Sequence, residues 1–278
     1  MRASFPATSS RTWDFNLLTL REVRNGKVVL YPTFRAWRNP GPFSIRLRAL
    51  YFQPGRRDTA MKNPRIEMSG TATHWQNVWT AKQPEEVSWH QDDPAPSLAM
   101  IAAAGLRRDA AIIDVGGGAS VLVDRLLERG YVHVAVLDIA EAALGQAAER
   151  LGPLGDDVTW IEADVLAWRP VPGLFDLWHD RAVLHFLTDP GDQARYVEQM
   201  KAALGPEATV ILATFAPEGP ETCSGLPVRR HDVASLCALL GPEFRLVEET
   251  RQDHVTPAGK VQAFQWVRFI RNPPSRPD

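Results

Sequence analysis

The sequence predicts an α/β fold: a doubly wound, mostly parallel seven-stranded sheet with a C-terminal antiparallel hairpin. Short apolar runs alternate with amphipathic segments five times between residues 111 and 240, which is typical of a parallel sheet with helices on both faces. Three glycines, 116–118, follow the first apolar run. The apolar period changes near the C-terminus, where 244–251 and 261–270 are strand-like runs joined by a turn.

Each helix and strand is predicted from its own pattern. A helical period of apolar residues predicts helices at 93–105, 120–129, 141–151, 192–204 and 232–240. Continuous apolar runs predict one strand that ends near Asp114 and others at 133–137, 158–161, 174–178 and 208–215. These five strands and the two strands of the terminal hairpin make up the predicted seven.

Composition sets the class of protein. The 278 residues are 45% hydrophobic, which allows the core of one large domain or of two small ones. Two cysteines, Cys223 and Cys237, give no disulfide framework, and no apolar run approaches the roughly 18 residues of a membrane span. We therefore expect a cytoplasmic protein that has no membrane partner.

Charge divides the chain into two parts. Residues 1–65 hold 13 Lys or Arg and 3 Asp or Glu, whereas the remainder holds 18 and 30, so the net charge of −2 conceals a basic part and an acidic part. Prolines break up the basic part and its apolar residues keep no period, so no fold is assigned to it. It could bind nucleic acid or an acidic partner, or serve as an organellar transit peptide.

The domain assignment follows from this division. We expect residues 1–67 to be a basic N-terminal extension that is disordered or not part of the native domain, with translation beginning at Met61 or Met68. The predicted domain is 68–272, and 273–278 is a predicted disordered tail.

The glycine turn is the best-defined motif. Gly116, Gly117 and Gly118 follow Asp114 directly after the first strand. Glycines at such a turn allow positive φ and let a ligand approach the backbone. A dinucleotide fingerprint would need a further glycine where the chain has Val121. This departure disfavours an NAD-linked oxidoreductase.

The spacing of Asp114, Gly116 and Gly118 resembles motif I of the class I S-adenosylmethionine (SAM) methyltransferases, with Ser120 where the family has its last glycine. The terminal hairpin is similar to the end of the sheet in that family. The resemblance covers about residues 73–270. It implies SAM as the cofactor and S-adenosylhomocysteine (SAH) as the product.

The resemblance also implies which side chains hold the cofactor. Asp114 would accept hydrogen bonds from its ammonium group, Asp138 from both ribose hydroxyls, and Asp164 from the adenine amino group. A helix cap at Asp138 and a solvated loop carboxylate at Asp164 are the alternatives. The full predicted set is Asp114, Gly116, Gly117, Gly118, Asp138, Ile139, Asp164, Val165 and Trp89.

Tryptophans are concentrated ahead of the first strand. Trp75, Trp79 and Trp89 lie within a short span, and tryptophan faces suit a cationic sulfonium. These side chains are expected either to cover the cofactor and substrate as a lid or to pack the N-terminal helix against the sheet.

Candidate catalytic residues follow the fourth strand, in a segment that resembles motif IV of the family. His179 or His185 is expected to take a proton from the acceptor. Asp180 would orient that histidine, and Arg181 would hold an acceptor carboxylate. The alternatives are an ion pair between Asp180 and Arg181 and a His185 that packs beneath the sheet. No metal-ligand cluster accompanies the motifs, so no metal is expected.

The acceptor is predicted only by class. A long loop, 216–230, contains Cys223, Arg229 and Arg230, and long loops of this kind often line binding sites. We expect in-line methyl transfer to a small-molecule acceptor. A protein lysine methyltransferase and a SAM-binding module without activity are the alternatives. The acidic charge of the domain argues against a nucleic-acid substrate.

Overall fold

The computed structural model of the protein describes residues 18–24, 27–33 and 70–273. The chain divides into two compact units, Met1–Leu47 and Arg48–Asp278. The predicted domain boundary between residues 67 and 68 lies outside the described residues, as do residues 274–278 of the predicted tail. The domain assignment therefore stays a prediction.

The first unit contains a hairpin. Strands β1 (Leu18–Arg24) and β2 (Lys27–Thr33) pair antiparallel, with Arg24 opposite Lys27. No strand was predicted here, because two strands of seven residues are too short to give a sustained apolar period. Asn-Gly, the pair most typical of a two-residue hairpin turn, stands between the strands in the sequence and was the available signal.

The second unit holds the main sheet and its helices. Its strands are β3 (Ala111–Val115), β4 (His133–Asp138), β5 (Val158–Glu162), β6 (Phe175–Arg181), β7 (Leu204–Phe215), β8 (Thr222–Cys223), β9 (Leu226–Pro227), β10 (Phe244–Val255) and β11 (Val261–Arg271). Its α-helices are α1 (Gly70–Ala81), α2 (Ala95–Ala103), α3 (Leu122–Glu128), α4 (Glu141–Leu151), α5 (Pro190–Ala203) and α6 (Val233–Leu240). Short 3₁₀ turns cover Pro84–Glu86, Gly152–Asp157 and Leu184–Phe186.

Seven strands form the main sheet in the order β10-β11-β7-β6-β3-β4-β5. Strands β3 to β7 run parallel, whereas β11 is antiparallel to both β7 and β10. The predicted fold class is confirmed. The chain adds β4 and β5 on one side of β3, then returns to add β6 and β7 on the other side. In open α/β sheets, the crevice beyond the carboxyl ends of the strands at such a reversal is where ligands bind.

Helices cover both faces of this sheet. On one face Trp178 packs edge-to-face on Tyr196 of α5, within a cluster that includes Leu236 of α6. The other face packs Ile112 with Ile101 of α2 and Leu126 of α3, all fully buried. No helix in the described ranges is long and apolar enough to cross a bilayer.

Two elements differ from the sequence prediction in ways that affect the site. Strand β6 continues through 179–181, whose polar residues were expected to lie beyond its end. They stay in the strand because β6 pairs with both β3 and β7. The predicted loop 216–230 contains a short hairpin of β8 and β9, which are too short to give a sequence signal.

Candidate active site at the carboxyl ends of the strands

Two adjoining clefts lie where the strand order reverses. The main cleft, of about 930 Å³ including space open to solvent, is lined by eight predicted site residues: Trp89, Gly116, Asp138, Ile139, Asp164, Val165, Arg181 and His185. The side cleft, of about 570 Å³, shares Trp89, Gly116 and Arg181 with it and adds Asp114, Gly117 and His179. Two predicted residues, Gly118 and Asp180, line neither cleft.

The glycine turn needs its glycines for close packing. Gly116 has a φ of +66°, and a Cβ there would lie 1.9 Å from Cγ2 of Val183. A Cβ at Gly117 would lie 2.5 Å from a carboxylate oxygen of Asp114. Any other residue would displace the turn. The glycines therefore hold the backbone between the carboxylate of β3 and the segment after β6.

Asp114 and His179 form a buried chain of hydrogen bonds. Oδ1 of Asp114 lies 2.7 Å from Nδ1 of His179, and Nε2 of His179 lies 2.9 Å from Oγ of Ser97 in α2. Both ring nitrogens of His179 are thus engaged, and the ring faces the side cleft. His179 orients Asp114 in this arrangement and has no nitrogen free for an acceptor.

Asp138 ends β4 at the wall of the main cleft. Its Oδ1 accepts a hydrogen bond from the N–H of Ala140 at 2.8 Å, so the alternative role of this residue as a cap is also present. Burial raises the pKa of the Asp138 carboxyl to about 7, and hydrogen bonds from the backbone of Ala140, Ile139 and Gly118 oppose the rise. Gly118 does not line the cleft, and its backbone contributes to the site through the hydrogen bond to this carboxylate.

Asp164 stands at the same end of the main cleft, just after β5. Its Oδ1 accepts from the N–H of Leu166 at 2.9 Å, which fixes the loop that carries Val165. Val165 is buried, and with Ile139 it adds an apolar surface to this end of the cleft. Carboxylates beside apolar walls suit a ligand with hydroxyls and a flat ring.

Asp180 fixes the turn after β6. It is fully buried and accepts hydrogen bonds from the N–H groups of Val183 (2.8 Å) and Leu184 (3.1 Å) and from the Tyr196 hydroxyl. Ala182 between them has a φ of +78°, rare for a residue with a Cβ. Among the described residues, no histidine forms a hydrogen bond with this carboxylate. Within the described residues Asp180 also forms no ion pair with Arg181, and its geometry is that of a positioning residue.

Arg181 lies on the boundary between the two clefts. Its Nη1 donates to the carbonyl oxygen of Trp89 at 2.9 Å, and its guanidinium carbon lies 5.0 Å from the centroid of the Phe264 ring. Nε and Nη2 are buried with no hydrogen-bond partner in the described structure. Burial lowers the Arg181 pKa to about 10, which leaves the side chain charged at neutral pH.

His185 lines the main cleft and is fully buried. Its Nδ1 accepts from the N–H of Phe215 at 3.4 Å, so the proton of the neutral ring resides on Nε2, which has no partner in the described structure. Burial, then the charges of Arg181 and His231, lower the His185 pKa to about 3. A general base needs a pKa near the working pH. His185 is therefore suited to donate a hydrogen bond rather than to accept a proton.

A pH titration tests this assignment. We expect the ring resonances of His185 to stay unchanged between pH 5 and pH 9, because the folded-state pKa lies below that window. The measurement is a nuclear magnetic resonance titration of the histidine rings, with the His185 signal assigned from its absence in His185→Gln. A midpoint between pH 6 and 7 would restore His185 as a candidate base.

Aromatic side chains cover the main cleft. Trp75 packs edge-to-face on Phe186 (5.0 Å) and on Trp89 (5.7 Å), and Trp79 also packs on Trp89 (5.9 Å). Trp75 and Trp79 are buried and line the cleft as well, so both predicted roles, packing and covering, are present. Phe264 of β11 completes the wall. Nothing in the sequence predicted Phe264, because it is far along the chain from the other lining residues.

The predicted loop residues have different environments. Cys223 lines the main cleft, and burial raises its thiol pKa to about 11, so it stays protonated. Arg229 and Arg230 are exposed, and Arg230 pairs with Glu221. Neither arginine lines the two clefts.

Comparisons with known proteins agree with this geometry. Residues 112–207 match a family model described as a methyltransferase domain. No match was found among curated protein sequences. Solved structures share the fold. The 1,6-didemethyltoxoflavin-N1-methyltransferase of Burkholderia thailandensis, solved with 1,6-didemethyltoxoflavin and SAH, is 19% identical, with 80% of this chain and 100% of that chain covered and a TM-score of 0.56.

Two further structures are similar at the level of the fold. The N-methyltransferase NodS of Bradyrhizobium japonicum, in complex with SAH, is 17% identical, with 72% of this chain and 98% of that chain covered and a TM-score of 0.54. A SAM-dependent methyltransferase of Methanosarcina mazei is 19% identical, with coverage of 62% and 97% and a TM-score of 0.53. The domain match over 112–207, together with the seven-stranded fold and the glycine turn, makes this part of the chain similar to the class I SAM-dependent methyltransferases.

Proposed function

We propose that the enzyme methylates a small molecule that binds in the main cleft beside SAM. The observation that carries this proposal is the aromatic and apolar lining of the cleft. Trp75 and Phe186 cover it, and the acceptor end is lined by Phe215, Cys223 and Phe264, which are all buried. A compact, largely apolar ligand suits such a pocket. The small molecule held by the Burkholderia structure is consistent with this proposal.

The residues at the other end of the cleft fit the cofactor. In this proposal, the carboxylate of Asp138 accepts the ribose hydroxyls, Asp164 accepts the adenine amino group, and Ile139 and Val165 contact the ring. Asp114, held by His179, accepts from the ammonium group across the glycine turn. The orientation of Asp114 by a buried histidine supports this role, because the hydrogen bond leaves its second oxygen facing Gly117.

The cofactor, when bound, supplies a methyl group on a sulfonium, which an electron-rich atom takes by in-line displacement while the C–S bond breaks. The chain itself orients the acceptor and excludes water. The covering by Trp75, Trp89 and Phe186 supports water exclusion. Burial lowers the His185 pKa to about 3 and raises the Cys223 pKa to about 11, so neither side chain is suited to act as a base near pH 7, and an acceptor that reacts without enzyme-assisted proton loss is favoured.

Transfer of label from SAM tests the acceptor class. Purified enzyme is incubated with methyl-labelled SAM and host extract, and the extract is then separated into protein and small-molecule fractions. We expect label among the small molecules, and much less of it with Asp138→Ala, the matched control in which cofactor binding is weakened. Label on a protein band would instead support a lysine methyltransferase. A lack of label in both fractions would favour a SAM-binding module without activity.

We also propose a cytoplasmic location. The support is that both cysteines are free thiols in the structure, as a reducing compartment would allow. Oxidation of either cysteine in protein isolated from its host without reductant would contradict it.

A further inference from the structure

We propose that the methyl acceptor is a small molecule that carries a carboxylate group and that Arg181 binds this group. This inference deepens the proposed function, on which it rests, by naming the chemical class of the small molecule. The inference follows from the buried guanidinium group of Arg181, which has unpaired hydrogen-bond donors among the described residues and lies at the acceptor end of the main cleft.

The free donors of Arg181 form one edge of its guanidinium group. Nη1 is already occupied by the carbonyl oxygen of Trp89, whereas Nε and Nη2 have no partner among the described residues. Those two nitrogens carry parallel N–H groups along one side of the planar group, which is the fork that binds both oxygens of a carboxylate. In the ranges described, no Asp or Glu lies within ion-pair distance of Arg181.

A buried charge without a counterion is unfavourable, because desolvation is not offset by pairing. The Phe264 ring, 5.0 Å from the guanidinium carbon, offers only a weak cation–π contact. Aromatic and thiol groups form much of the surrounding wall, and they supply no negative charge because the Cys223 thiol stays protonated. A ligand anion would complete the site.

Sheet order places Arg181 at the acceptor end rather than the adenosine end. Asp138 ends β4 and Asp164 follows β5, on one side of the glycine turn. Arg181 ends β6 on the other side, against Phe264 of β11, and its charge contributes to lowering the pKa of His185. The unpartnered N–H of His185 lines the same cleft and provides a further donor for an anionic group.

Other charged candidates do not serve this role. Arg229 and Arg230 are exposed and line neither cleft. Arg181 has one competing role, as a ligand of the cofactor, because it also lines the side cleft together with Asp114 and Gly117. From there it could bind the carboxylate of the cofactor instead, so the test must separate the two ligands.

Binding of small fragments distinguishes an acceptor carboxylate from the carboxylate of the cofactor as the ligand of Arg181. The probes are two matched pairs, acetate with acetamide and benzoate with benzamide, titrated into enzyme saturated with SAH and followed by ligand-observed magnetic resonance. In the wild type we expect the carboxylate of at least one pair to bind at least tenfold more tightly than its amide. Arg181→Gln should remove that preference while the dissociation constant of SAH changes less than twofold. Arg229→Gln, a surface change, should preserve the preference.

Three results overturn the inference. The first is a wild type in which no carboxylate binds more tightly than its amide. The second is a carboxylate preference that persists in Arg181→Gln. The third is a tenfold or greater loss of SAH binding in that variant, which would assign Arg181 to the cofactor. If Arg181→Gln does not fold, Arg181→Lys replaces it, with a reduced preference expected because the charge stays but the fork is lost. Failure of the proposed function is recognised separately, by label that appears on protein or nowhere in the extract experiment.

Discussion

Replacing Asp138 with alanine is expected to weaken SAH binding at least tenfold. The proposed site gives this carboxylate two ribose hydroxyls, and a hydrogen bond to a charged group contributes about 1.5–3 kcal/mol. The loss of even one such bond corresponds to about a factor of ten in the dissociation constant. The measurement is isothermal titration calorimetry at pH 8, with Asp109→Ala as a control because Asp109 is exposed, pairs with Arg107 and lines neither cleft.

The same carboxylate should make binding depend on pH. Burial raises the Asp138 pKa to about 7, so the group is mostly protonated at pH 6 and mostly ionised at pH 8. Only the ionised form accepts from both hydroxyls, so SAH affinity should rise roughly tenfold across that interval. Asp138→Asn, which cannot ionise, should show a much smaller change. Equal affinity of wild type and Asp138→Ala at pH 8 would remove Asp138 from the cofactor site.

Replacing Asp180 with alanine is expected to cost about 3 kcal/mol or more in the free energy of unfolding. The change leaves the N–H groups of Val183 and Leu184 and the Tyr196 hydroxyl without their acceptor, and each buried unsatisfied group costs about 1–3 kcal/mol. For a domain of this size, such a loss lowers the melting temperature by roughly 6–12 °C. Urea unfolding monitored by tryptophan fluorescence measures it.

Further variants distinguish the loss of the Asp180 hydrogen bonds from a loss of side-chain packing as the cause of any destabilisation. Asp180→Asn keeps the volume and one acceptor oxygen, so it should lose less stability than Asp180→Ala. Tyr196→Phe should also destabilise, because it removes one donor to Asp180 and leaves Nε1 of Trp178 without its acceptor. If Asp180→Ala unfolds at the same urea concentration as the wild type, Asp180 does not fix the turn after β6.

The clustering of the residues at the proposed cofactor end could be predicted because their signals are local. Asp114, Asp138 and Asp164 each follow a short apolar run, and the carboxyl ends of parallel strands meet at one edge of a sheet. The glycine turn follows the first of these runs directly. Sequence order was therefore enough to bring these residues to one place, and the structure has them lining the two clefts.

The acceptor end could not be predicted in the same detail. Its walls come from Arg181 on β6, Phe215 on β7 and Phe264 on β11, and no local pattern links these positions. The roles of the polar residues at the carboxyl end of β6 also depend on partners elsewhere in the chain. His179 bonds to Ser97, and Asp180 accepts from Tyr196. Only the tertiary structure distinguishes these buried partners from an exposed acid and base.

A crystal structure with SAH bound tests the central claim most directly, because it places both halves of the site at once. The account predicts that the ribose hydroxyls lie within hydrogen-bond distance of the Asp138 carboxylate, that the adenine lies beside Val165, and that the Nε and Nη2 edge of Arg181 stays free of the cofactor. A ribose bound away from Asp138 would contradict the proposed cofactor site. A methionine carboxylate paired with Arg181 would contradict the division of the cleft into cofactor and acceptor ends.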